Sequence, residues 1–329
     1  MTKERQTVQR VSVVVPSFRR PDALADCVHS LSEGSVLPDE IIVAGRQGDA
    51  PTRSMVERLC ASLGGTVPIR SCWVSLPGHV PPVEEGLKAA KEELVAIVDD
   101  DCTVSRGWLE SLLAPFSDPS VGVVGGRVVV PGQSSGRPRG KPGHVTWYGQ
   151  TWGNVASLDG EVAMEVDTVM ECNWAWQRHL LNSLEIDPAL NFDDASMYGL
   201  DLCLGAKAAG FRILYEPRAL VLHHVKPRTP ELDRADRPAR TFSYCRNYTY
   251  IMLKRLPVWR KCVFLVWWFA MGEGLAEGAG AFAANMLSGR KHAPGVTRGA
   301  FAGRVEGLRI WLRTRRSGQA RGPEVRQQG

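Results

Sequence analysis

The sequence has no uninterrupted apolar run near the twenty residues that a membrane-crossing helix needs. Its densest stretch, CVFLVWWFAMG at 262–272, is cut short by Glu273 and Glu277. That leaves an interfacial or re-entrant segment, or a core helix of a small helical cap. No basic, apolar and small-residue leader precedes the first strand, since MTKERQTVQR runs straight into VSVVV. A cytoplasmic location is therefore expected. The 8 cysteines include no Cys-x-x-Cys pair and no short Cys/His grouping. Zinc-finger spacing is thus excluded, and reduced, mostly buried thiols are expected. Internal repeats are absent as well.

With 44% hydrophobic and 23% charged residues in 329, the composition is that of an ordinary globular chain, long enough for a broad α/β domain and an appendage. Its net charge of +5 is unevenly spread. From Ser288 to Gly329 there are ten Arg or Lys and two Glu, a local +8 that leaves the remainder at −3. A basic tail favours a polyanionic partner. The Trp-rich apolar stretch beside it points to an anionic membrane surface rather than nucleic acid.

Val11–Val15 reads as a strand stopped by Pro16, and Asp22–Leu31 as the helix that follows. The alternation continues with strand 40–44, helix 52–63, strand 69–74, helix 83–91 and strand 94–98. Such alternation predicts parallel β-α-β units. Strands apolar throughout, like VSVVV and LVAIV, suit a sheet covered on both faces. Beyond them come a helix at 108–115 and a strand at 121–130. A Gly/Pro/Arg-rich loop, PGQSSGRPRGKPGH, follows and reads as mobile. Further on, a helix is expected from about Asn173 and another over 200–209, then short strands at 212–215 and 220–222 and a helix over 242–256.

Asp99, Asp100 and Asp101 stand where the strand LVAIV gives out. Ligands of open parallel sheets bind outside the carboxyl ends of the strands. Three adjacent carboxylates repel one another, and a hard cation such as Mn²⁺ or Mg²⁺, shared with substrate phosphates, relieves that repulsion. Carboxylates, metal and diphosphate then make one site.

Several segments together resemble family-2 glycosyltransferases of the GT-A fold. VSVVVPSFRR resembles the family's opening strand and nucleotide loop, VAIVDDDC its Asp-x-Asp motif, and ECNWAWQR its acceptor-side segment. YGLDLCLGAKAAGFRILYEPRALVLHH resembles its closing acidic helix and histidine, and RNYTYIMLKRLPVWRKCVFLVWW the membrane-proximal extension of bacterial members. The resemblance implies a Rossmann-like α/β fold: a mixed, mostly parallel sheet with helices on both faces, plus a C-terminal helical extension. It divides the chain into a catalytic domain at 1–226 and a helical, basic, membrane-associating region at 227–329.

The implied activity is metal-dependent transfer of a hexosyl or related sugar from a nucleotide diphosphate donor to an acceptor hydroxyl, with inversion. The acceptor would be a glycan or a lipid-linked molecule, and the location peripheral on the inner face of the cell membrane. By matching, Pro16, Ser17, Phe18 and Arg19 hold the nucleotide, and Asp99 contacts the ribose or the metal. Asp101 binds the metal with His223, His224 being the near equivalent, and Asp100 is the middle donor-side residue. Gly126, Asn173 and Trp174 border the donor sugar and acceptor. Asp201 is the implied base.

The chain also departs from the family pattern. Tyr198-Gly199-Leu200 stands where many members carry a Glu-Asp pair, which leaves Asp193 or Asp194 as alternative bases. Asp49 substitutes for the acid usual after the second strand, or that contact is lost. Glu85 and Gln177 replace an Asn and an Arg. These departures keep open a degenerate, membrane-docked binding or scaffold protein. A sugar-nucleotide nucleotidyltransferase is disfavoured because no glycine lies in VVPSFRRPDAL.

Overall fold

The structure is a computed structural model and describes residues 9–133, 141–153, 157–192, 197–225, 237–273, 276–287 and 294–316. Its first half alternates strand and helix: β1 (Val11–Pro16), α1 (Pro21–Ser32), β2 (Glu40–Arg46), α2 (Ala50–Leu63), β3 (Ile69–Val74), α3 (Val80–Ala89) and β4 (Leu94–Val98). Each helix has proline in its first turn, where a missing N–H costs nothing. Strand residues alternate between two cores, as the two-residue period demands. Val13, Val15, Ile41 and Val43 meet α1 and α2 on one face, while Val14 and Ile42 meet α3 on the other. Every residue of β1 and β4 is consequently buried.

The next elements are β5 (Cys102–Val104), α4 (Trp108–Leu113), β6 (Val121–Val129), β7 (His144–Val145), β8 (Thr151–Trp152), β9 (Met164–Val166) and β10 (Asn173–Gln177). After them come α5 (Arg178–Leu184), α6 (Tyr198–Ala208) and β11 (Arg212–His223). The main sheet has the order β3-β2-β1-β4-β10-β6-β11-β5, and β9 pairs with β11. Strands β1 to β4, β6 and β11 run one way, and β5, β9 and β10 run against them. The sheet is thus mixed and mostly parallel, as expected.

Two expectations need correcting. Asn173–Gln177 is not the start of a helix but the strand β10, inserted antiparallel between β4 and β6. Its residues alternate: Trp174 and Trp176 enter one core and Ala175 the other. The helix begins only at Arg178. The two short strands at 212–215 and 220–222 are one strand, β11, whose register against β6 shifts between Glu216 and Leu220. The loop expected to be mobile lies partly outside the described residues.

The C-terminal part comprises α7 (Arg237–Arg255), α8 (Val258–Ala270), β12 (Gly272–Glu273), β13 (Ala276–Glu277), α9 (Ala279–Leu287) and α10 (Pro294–Arg316). Gly299, Gly303 and Gly307 line one face of α10, where a Cβ would lie 2.5, 2.3 and 2.3 Å from carbonyl oxygens of α7. The missing side chains let the two backbones touch. Tyr248, Ile251, Leu253, Phe264 and Trp268 share a core cluster with Trp174, Trp176 and Val14. Among the described residues no helix is long and apolar enough to cross a membrane.

Candidate active site at the carboxyl end of the central strands

The acidic run forms the turn from β4 to β5, closed by Cys102 N–H donating to the Asp99 carbonyl at 3.1 Å. The three carboxylates have different environments. Asp100 is fully buried; it accepts from Ser17 Oγ at 2.7 Å and pairs with Arg20 Nη2 at 2.7 Å. Burial, outweighing Arg20 and Ser17, pushes its carboxyl up to about 7. Asp100 was implied as a donor contact, but its carboxylate faces the interior and ties the β1 loop to the β4 turn.

Asp101 pairs with the other arm of Arg20, and its Oδ1 faces His223 Nε2 at 3.2 Å. Burial alone would raise this carboxyl; His223 and Arg20 outweigh it and hold it below the usual range. His223 ends β11 opposite Cys102 in β5. Asp101, with Cys172 adding to it, pushes the His223 imidazole up to about 10. His224 turns away, its ring 2.9 Å from Thr103 Oγ1.

Ligand atoms of Asp99, Asp101 and His223 all lie within 4.8 Å of one another. Asp101 Oδ1 is buried and receives no aligned hydrogen bond among the described residues. Two carboxylates and an imidazole converging this closely fit a hard or borderline divalent cation. A second grouping, Cys102, Cys172 and His223, lies beneath it with thiols as donors.

The loop after β1 borders this cluster. Ser17 N–H donates to the Ala44 carbonyl at 2.9 Å, and Arg19 adopts a left-handed φ of 55°. That backbone is held by Asp49, which accepts from Arg19 N–H at 2.6 Å and caps α2 through Thr52 N–H and Thr52 Oγ1. Asp49 is thus a buried strut of the loop rather than a group reaching toward a donor. Pro16 and Ser17 are buried, Phe18 is half-buried beneath the Arg46 guanidinium at 4.1 Å, and Arg19 is exposed.

Three further implied contacts turn out to be packing. Asn173 uses its amide fully: Nδ2 donates to the Arg127 and Ala219 carbonyls at 2.9 Å each, and Oδ1 accepts from Trp108 Nε1 at 2.8 Å. A side chain at Gly126 would collide with the Ala219 carbonyl at 2.2 Å. Trp174 is fully buried against Trp176 and Tyr198. Asn173 and Gly126 offer no free polar group, and the Trp174 indole N–H, though unpartnered among the described residues, is buried. Gln177 bonds the Val121 carbonyl, and Glu85 is exposed on α3.

Asp201 needs the largest correction. It lies in the first turn of α6 with 1% exposure, and two cations close over it. Arg255 binds it through Nε at 2.7 Å and Nη2 at 3.0 Å, and Lys254 Nζ lies at 2.8 Å. With two part-buried cations closing over it, this carboxylate presents no open face to an acceptor hydroxyl. Asp193 and Asp194 lie outside the described residues.

One group escaped the sequence reading. Glu171, on the loop entering β10, is half-buried, and its Oε1 accepts the Gly199 N–H at 2.6 Å. Burial, with the charge on Asp99 adding to it, pushes its carboxyl up to about 8. It opens the segment ECNWAWQR, but nothing in that segment gave it a role, because its meaning comes from the fold bringing it to Gly199.

A family model described as glycosyltransferase like family 2 matches residues 9–240. The chain belongs to this family. A pre-mycofactocin glycosyltransferase of Mycobacterium tuberculosis is 35% identical over 144 residues, which are 42% of this family-2 chain and 28% of the relative. The chain therefore spans well under two thirds of that relative's length. Among solved structures, S. aureus TarS 1–349 in complex with UDP-GlcNAc superposes with a TM-score of 0.58 at 15% identity, covering 94% of this chain and 93% of that one. A mannosyltransferase from Pyrobaculum calidifontis in complex with GDP-Man and Mn²⁺ gives 0.57 at 16% identity, covering 92% and 88%. At such identities the likeness concerns the fold.

Proposed function

We propose that the chain is a metal-dependent glycosyltransferase that moves a hexosyl or related sugar from a nucleotide diphosphate donor to an acceptor hydroxyl, with inversion at the anomeric carbon. One observation carries the reading: the convergence of Asp99, Asp101 and His223 at the carboxyl end of β4, bordered by the Ser17–Arg20 loop. A divalent cation held by these three side chains would offset the charge that develops on the leaving diphosphate. Arg20, fixed between Asp100 and Asp101, adds positive charge to the same cluster. Half-buried Phe18 and exposed Arg19 are the loop residues that a nucleotide base can reach. A neighbour of like fold is described with GDP-Man and Mn²⁺ and another with UDP-GlcNAc, which supports the donor class.

The acceptor in this reading is a glycan or a lipid-linked molecule met at the inner face of the cell membrane. Exposed Val258, Trp259 and Val266 on α8, with Arg260 and Lys261 beside them, support docking on an anionic lipid surface.

The test offers GDP-mannose and UDP-N-acetylglucosamine with Mn²⁺ and reads thermal stabilisation and nucleotide release. At least one donor is expected to give metal-dependent signals that Asp101→Asn or chelation removes. Turnover undiminished by both perturbations would refute the metal site.

A further inference from the structure

Tyr198-Gly199-Leu200 stands where the family pattern carries a Glu-Asp pair, and Asp201 is closed over by Arg255 and Lys254, so the site needs another proton acceptor. We propose that Glu171 is that acceptor, reaching the acceptor hydroxyl from the β10 side in place of a carboxylate of the missing Glu-Asp pair. The inference rests on the glycosyltransferase reading above.

The geometry makes the two positions exclusive. A Cβ added at Gly199 would lie 2.4 Å from Glu171 Cγ, 2.8 Å from its Oε1 and 3.0 Å from its Cδ. The Glu171 side chain fills the space that a residue at 199 would enter. The site has room for one acid there, supplied by either segment. Gly199 N–H fixes Oε1 at 2.6 Å, and Oε2 is the oxygen assigned to the substrate. Unlike Asp201, Glu171 is only half-buried.

Its surroundings suit the task. Asp99, a member of the cation cluster, is near enough for its charge to act on Glu171. Among the described residues, Tyr198, Cys172 and Cys203 also share its field. A carboxyl held up near 8 by burial is a stronger base than an exposed one. In the step, the acceptor O–H bond breaks and its proton passes to Oε2. The freed oxygen bonds the anomeric carbon, whose bond to the donor phosphate oxygen breaks with its electron pair leaving on the nucleoside diphosphate.

The test compares wild type with Glu171→Gln in the full chain, reading UDP or GDP release from UDP-N-acetylglucosamine or GDP-mannose with Mn²⁺. Gln retains an oxygen for the Gly199 N–H, so a purely structural role would survive the change. The expected loss is about 10²–10⁴-fold in turnover, with the affinity for GDP or UDP and the melting temperature retained. A second variant moves the acid: Glu171→Gly with Gly199→Asp is expected to exceed Glu171→Gln at least tenfold, whereas Gly199→Asp alone loses activity. Wild-type turnover in Glu171→Gln, or a swap variant no better than it, overturns the proposal. So does a hundredfold loss in Asp193→Asn/Asp194→Asn with Glu171→Gln unaffected. A wild-type chain that neither binds nor cleaves either donor overturns instead the reading beneath it.

Discussion

Replacing Asp201 by Asn keeps the side-chain shape and removes a charge that the fold has surrounded. The carboxylate is 1% exposed, and its partners Lys254 and Arg255 are 16% and 14% exposed. Removing one member of a buried ion pair costs about 3–5 kcal/mol, because the remaining charge stays desolvated. Lys254 retains Asp187 at 2.8 Å, which places the cost at the lower end, about 3 kcal/mol. At about 2 cal/mol/K per residue, 329 residues unfold with an entropy of about 0.7 kcal/mol/K, so the melting temperature should fall about 4 °C. Calorimetry reads the shift, and turnover per folded molecule is measured well below the transition. The turnover of Asp201→Asn should stay within a few-fold of wild type. An unchanged melting temperature together with a hundredfold loss of turnover would refute the structural role and return Asp201 to the chemistry.

Two other outcomes follow from charged groups elsewhere. Glu40 accepts from Ser12 Oγ and Lys91 N–H and is forked by Arg70; burial opposes these partners, but they win and hold its carboxyl below the usual value. A depressed folded-state carboxyl adds stability above the unfolded value, and that stability is lost as pH falls through the folded one. The stability gap between wild type and Glu40→Gln, followed by urea unfolding, should therefore shrink on going from about pH 6 to about pH 3; a constant gap would count against the network. For membrane docking, Trp259→Glu/Val266→Glu adds charge to exposed positions of α8 and should abolish sedimentation with vesicles of anionic phospholipid. Equal sedimentation of both proteins would rule that surface out. Deleting 254–329 is a poorer test, since it also strips Asp201 of both cations.

Much of the fold was legible because local physics and tertiary burial agreed. The runs 69–74 and 94–98 are the strands β3 and β4 with those same limits. Proline at the helix starts and apolar runs between them left little freedom. NWAWQ was the exception. Five residues are too few to separate period 2 from period 3.6, and only insertion between β4 and β6 makes the segment a strand. That same insertion turns Trp174 and Asn173 inward, where both are buried.

Asp99 to Asp101 at the end of LVAIV marked the place of the site, because a strand so apolar must end where the sheet opens. Which carboxylate does what was not in the sequence. Asp100 and Asp101 are neighbours in the chain, yet one points at Ser17 and the other at His223, more than a hundred residues away. The sequence determined the alternation of strands and helices, the family pattern and the acidic turn, all of which are written in contiguous residues. Only the tertiary structure decided that α7 closes over Asp201 and that Glu171 fills the space beside Gly199. Those facts depend on segments far apart in the chain coming within hydrogen-bond distance.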